Sequence, residues 1–210
     1  ALLVGAGSMW VLSQHERWSP VELIAVCTVL AGASLGATFL AKRFSMGRPA
    51  RGIFAAGAAM YTWGLAAGGY MLAAGHSFNR WGDPYGSYSY QMGRLQIDRA
   101  WLAGDLAVIV ASVLATRYLR APAAIGAASL ATVHFLMTGA EQSYRMNGGY
   151  MGSEAAMPWL VAVSVAMCGA AFVLERKQKK DHDPAFWLHA VGVLPLGVAG
   201  LISIDRVAGS

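Results

Sequence analysis

The chain reads as an all-α fold, a polytopic membrane helical bundle of about seven transmembrane helices, and three observations lead there. Of its 210 residues 56% are hydrophobic and only 13% are charged, where a soluble domain carries about 25% charged residues. Apolar stretches alternate with polar joints at approximately 1-13, 21-41, 52-75, 100-118, 121-140, 157-174 and 185-204. All but the first approach or exceed the ~20 residues that cross a bilayer core as a helix. The basic residues collect at every second joint, which is the asymmetry that orients membrane helices. The whole of 1-210 is read as a single transmembrane helical domain.

Taken in order, the first stretch is only about 13 residues long and starts at Ala1 without a methionine, so it is read as part of a helix or as the remainder left by a removed leader. The second and third carry Gly32 with Gly36 and Gly64 with Gly68, small-xxx-small faces that let helix backbones approach closely. The fourth begins near Asp98 and holds Asp105 two turns on; the fifth holds His134 two turns before Glu141. The joint between them, Arg120-Ala121-Pro122, is short enough to make these two antiparallel neighbours. The seventh contains Gly192, Pro195 and Gly197, and a proline there frees a backbone carbonyl and bends the helix.

Lys42, Arg43, Arg48, Arg51, Arg117, Arg120, Arg176, Lys177, Lys179 and Lys180 are ten of the sixteen bases, and all fall on one side of this alternation. By the positive-inside rule that side is cytoplasmic. The N-terminus is then inside, the segments 14-20, 76-98 and 141-156 face outside, and the C-terminus is outside. The expected location is integral to the cell (inner or plasma) membrane, multi-pass, with the lipid bilayer and other membrane subunits as partners. The surplus of 16 Lys+Arg over 11 Asp+Glu is accounted for by topology, and no nucleic acid is implied.

An ionisable side chain in hydrocarbon costs at least ~2.5 kcal/mol, so each one calls for a partner or a function. Asp98, Asp105, His134, Glu141 and His76 all map to the outer half. Four readings stay open: a buried Asp105–His134 hydrogen-bonded pair, a metal site of Asp105, His134 and Glu141 suited to copper, iron or zinc, a proton or ion route, and bis-histidine ligation of a b-type heme by His76 and His134. His189 is expected to make a local hydrogen bond. Cys27 and Cys168 lie inside spans and read as small buried hydrophobes without a disulfide or cysteine metal site. The outer joints 76-98 and 141-156, rich in Tyr, Trp and Gly, are expected to roof the outer end.

Other chemistries lack their signatures. No GxxxxGK[ST], HExxH or CxxC occurs, and no lysine in the seventh stretch could hold retinal. Gly32-Ala33-Ser34-Leu35-Gly36 matches GxSxG by letter, yet without a preceding strand the nucleophile-elbow mechanics do not apply. The run 176-180, RKQKK, reads as a topology determinant.

Scattered pieces point to a family. Trp18-Ser19 leads into the second stretch and Gly36-Ala37-Thr38 ends it; Tyr61-Thr62-Trp63 lies in the third, Asp105 in the fourth, and Ala115-Thr116-Arg117 ends the fourth. With Phe78-Asn79-Arg80-Trp81-Gly82, these resemble the A-type membrane subunit of the copper membrane monooxygenases, which oxidise ammonia, methane or short alkanes. The resemblance covers about half of the chain. It implies a helical subunit of a hetero-oligomeric, trimeric assembly, a scaffold and substrate-channel component whose partners supply most of the copper ligands. It assigns no role to Asp105, His134 or Glu141. The other classes are a heme or quinone anchor, a small transporter or proton pathway, and a structural accessory subunit.

Overall fold

The computed structural model describes residues 18–75, 88–146, 153–177 and 185–193. Among the described residues every regular element is a helix: α1 (Pro20–Arg43), α2 (Arg48–Ala73), α3 (Tyr88–Tyr118), α4 (Ala124–Met146), α5 (Ser153–Lys177) and α6 (185–193). Three stretches, Pro20–Arg43, Ile97–Tyr118 and Met157–Arg176, are long and apolar enough to cross a membrane. At 26 and 23 residues, α2 and α4 also have the length, but their alanine, glycine and polar content leaves them less apolar. The first apolar stretch, 1-13, lies outside the described residues, as do Pro195 and Gly197.

The helices overrun the apolar stretches that announce them. α3 starts at Tyr88, whereas its apolar stretch starts near 100, and α4 continues past 140 to Met146. The outer joints are therefore shorter than expected, and Tyr88 and Tyr90 lie in the first turn of α3. Apolarity marks only the part of a helix that meets hydrocarbon, while backbone hydrogen bonding carries the helix onward until turn residues stop it.

The chain divides into two compact units, Ala1–Ala128 and Ser129–Ser210. In the first, α2 packs against both α1 and α3. Gly64 and Gly68 make this possible: a side chain at 64 would collide with Cys27 Sγ, and one at 68 would stand 2.8 Å from Ile24 Cγ1 and 3.0 Å from the Pro20 carbonyl oxygen. At Gly32 and Gly36 of α1 an added Cβ would meet nothing within 4 Å among the described residues. α1 instead turns Leu23, Cys27, Ala31, Ser34, Thr38 and Ala41 inward. Its outward face carries Val21, Val29, Phe39 and Leu40. Small and hydroxyl-bearing residues inside with large apolar residues outside is the arrangement of a helix whose solvent is lipid. The buried Thr38 Oγ1 donates to the Ser34 carbonyl at 2.9 Å, and on the outward face Thr28 Oγ1 donates to the Ile24 carbonyl at 2.7 Å.

In the second unit Val163 and Met167 of α5 pack with Val191 of α6, and Val133 of α4 lies against them. Gly192 sits so close to α5 that an added Cβ would be 3.1 Å from Cys168 Sγ and 3.2 Å from Met167 Cβ. The fully buried Ser164 hydroxyl donates to the Gly192 carbonyl.

Candidate functional site

Among the described residues the buried carboxylates are on α3. Asp98 is 5% exposed and Asp105 2%, and seven residues of helix place them on one face about 10 Å apart. The next position on that face is Ser112, 1% exposed, whose Oγ has no hydrogen-bond partner among the described residues. Asp98, Asp105 and Ser112 thus form a polar line on the buried side of α3. The spacing 98, 105, 112 is legible in the sequence, but a serine in an apolar stretch carries no signal until its burial is known.

Around this line the first unit is aromatic. Tyr61, Ala67 and Met71 of α2 and Ile97 and Ala100 of α3 are buried in one cluster, with Trp18, Trp63, Tyr70 and Trp101 packed against it. Between α2 and α3 the fit is close at Trp63 and Gly104. A Cβ on Gly104 would stand 2.5 Å from Trp63 Cδ1 and 2.7 Å from its Nε1, so the absent side chain forms the slot that the indole fills. This fixes the antiparallel register of α2 and α3. It sets Asp105 at the level of Tyr61 to Trp63, and Asp98 two turns away at the level of Tyr70. The pairing of Trp63 with Gly104 has no sequence signature, since glycines are as frequent elsewhere in the chain.

The remaining expected site residues fall elsewhere. His134 and Glu141 share a face of α4 in the second unit, His134 exposed and Glu141 half-buried. His76 lies outside the described residues, as do His15 and Asp83. His189 makes a contact across helices and not a local one, its Nε2 3.3 Å from Glu175 Oε1 of α5. Among the described residues no three His, Cys, Asp or Glu side chains gather as they would to hold a metal ion. Both cysteines are free, Cys27 buried beneath Gly64 and Cys168 partly buried beside Gly192.

Comparison with protein-family models, with curated proteins and with solved structures finds no match. The chemistry open to the site is therefore argued from its residues. Two carboxylates held out of water on one helix face, with a hydroxyl two turns beyond, can take up and release protons and can hold polar helix contacts in register. They offer acidic oxygen and hydroxyl but no imidazole or thiolate, the ligands that favour copper.

Proposed function

We propose that the chain is an integral-membrane subunit of a membrane-bound oxidoreductase complex, most concretely an A-type-like subunit of a copper membrane monooxygenase acting on ammonia or a small hydrocarbon. It would cross the membrane seven times, with the N-terminus inside and the C-terminus outside. One observation carries this reading. It is the order of short pieces along the chain, Trp18-Ser19, Gly36-Ala37-Thr38, Tyr61-Thr62-Trp63, Asp105 and Ala115-Thr116-Arg117; of these Trp18, Thr38, Tyr61, Trp63, Asp105 and Ala115 are packed within the first unit, whereas Gly36 and Arg117 are exposed.

In this role the chain is a scaffold. As the resemblance implies, partner subunits would supply most of the copper ligands, and with them the oxygen-activating chemistry. α2 and α3 would wall a path for substrate, and Asp105 would hold the polar register behind Trp63. The complex purified from its native membrane tests this. Copper and co-purifying membrane chains are expected; a chain that purifies alone and without a transition metal would sink the reading.

A second reading, a proton pathway or small transporter, is favoured by the line of Asp98, Asp105 and Ser112. It predicts that Asp105→Asn abolishes proton movement in reconstituted vesicles while assembly is unchanged. Under the scaffold reading the same variant weakens assembly, and His134→Ala leaves both intact. A heme anchor through His76 and His134 is decided by a reduced-minus-oxidised spectrum, in which absence of a heme band removes it.

A further inference from the structure

One end of the first unit is strongly basic. Lys42 and Arg43 close α1, Arg48 and Arg51 open α2, Arg117 lies in the last turn of α3, and Arg120 comes just after it. The fold brings these two joints together. A Cβ on Gly52 would stand 3.0 Å from Ala123 Cβ, Ala55 is buried in one cluster with Ala115, Ala121 and Ala124, and the Thr116 hydroxyl reaches the Ala121 carbonyl at 3.4 Å. The turn after α3 is thereby folded against the first turns of α2.

Nothing in these segments balances the charge. No Asp or Glu occurs between Glu22 and Asp83, nor between Asp105 and Glu141. Among the described residues, Lys42, Arg43, Arg51, Arg117 and Arg120 form no ion pair. Arg51 Nε is buried with no hydrogen-bond partner among them. α2 starts at Gly47 without a side-chain cap and without an acid in its first turn, so the positive end of its dipole adds to the same field. Topology alone asks only that bases lie on one side of the membrane. It does not ask that two joints converge, or that a guanidinium nitrogen be buried unsatisfied.

Beside the bases stand large apolar side chains, Phe44 71% exposed, Tyr118 74% and Met46 52%. Cations next to exposed apolar and aromatic groups fit a molecule with a phosphate at one end and acyl chains at the other. We propose that the joints after α1 and α3 together bind the phosphate headgroup of an anionic lipid, with Arg51 and Arg120 as its inner contacts. The proposal rests on membrane residence and is independent of the oxidoreductase reading.

The test uses the full chain in nanodiscs of phosphatidylcholine with and without phosphatidylglycerol, lipids retained after delipidation being counted by native mass spectrometry. Phosphatidylglycerol is expected to be retained over phosphatidylcholine, less so as salt is raised. Arg51→Gln combined with Arg120→Gly should lower that retention about tenfold or more. Arg120 has φ 51°, a left-handed conformation that glycine adopts without strain, so this half of the variant removes charge without disturbing the turn. Lys177→Gln with Lys179→Gln, in the other basic joint, should leave retention unchanged. Equal retention by the first variant, or equal loss in the second, overturns the site. So does glycerol phosphate displacing the lipid at equal concentration, which would mark a soluble-anion site. Recovery of the wild-type chain in the soluble fraction would overturn membrane residence itself, and is distinguishable from either outcome.

Discussion

At the start of α1 the chain supplies its own anion, whereas at the start of α2 it supplies cations. The first is a closed capping box: the Ser19 Oγ accepts from the Glu22 N–H at 3.3 Å, and the Glu22 carboxylate accepts from the Ser19 N–H at 2.7 Å and hydroxyl at 2.9 Å. The second has Gly47 with no cap bond, Pro49 removing one orphan N–H, and Arg48 and Arg51 where the helix dipole favours acids. Lys42 and Arg43, by contrast, end α1 and complement its dipole. Bases a few residues apart thus have opposite electrostatic standing. The start of α1 is self-sufficient, and the start of α2 needs an anion from outside the chain, which a lipid surface offers.

The largest expected effect comes from breaking the packing that both starts depend on. Gly64→Leu drives a side chain into Cys27 and parts α1 from α2, at a cost of about 3 kcal/mol, read as a lower midpoint for unfolding of the purified chain in mixed micelles. A wild-type midpoint would mean that the two helices do not touch there. Ser19→Ala opens the capping box and should cost about 1 kcal/mol in the same assay, with lipid retention untouched. Coupled loss of lipid would erase the contrast between the two starts.

Arg120→Gly relieves a left-handed residue and should stabilise by about 1 kcal/mol in lipid-free micelles, while weakening binding of phosphatidylglycerol. The opposite signs are what a charge held for a ligand produces, and a change of one sign in both would contradict it. The smallest effect is that of Gly47→Asp, which supplies cap and anion at once and should stabilise by about 0.5 kcal/mol. Gly47 has φ −57° and ψ 155°, open to any residue, so a loss of stability here would show that the α2 start needs no anion.

Much of the fold was legible before any coordinates. The apolar stretches located five long helices and part of a sixth because a bilayer demands long apolar runs and leaves little else to decide. Their polar ends were not legible: residues 88–99 are helical although their composition reads as a joint, since hydropathy reports the solvent and not the backbone. Between two glycine pairs of equal appearance, Gly64 with Gly68 is packed and Gly32 with Gly36 is open among the described residues. Spacing cannot distinguish these, because which face of a helix meets a neighbour depends on the neighbour. For the candidate site, the face shared by Asp98 and Asp105 followed from helical periodicity. The fit of Trp63 into Gly104 and the burial of Ser112 did not.

By itself the sequence determined that long helices apolar enough to cross a membrane recur along the chain, where its charges concentrate, and which acids share a face. Those are one-dimensional properties, set by composition and by a period of 3.6 residues. The tertiary structure decided which glycines are contacts, that Ser164 meets the Gly192 carbonyl, and that two basic joints far apart in the chain form one surface. Each of these depends on helix register, which is set by side chains meeting across an interface and is written in no single stretch of the chain.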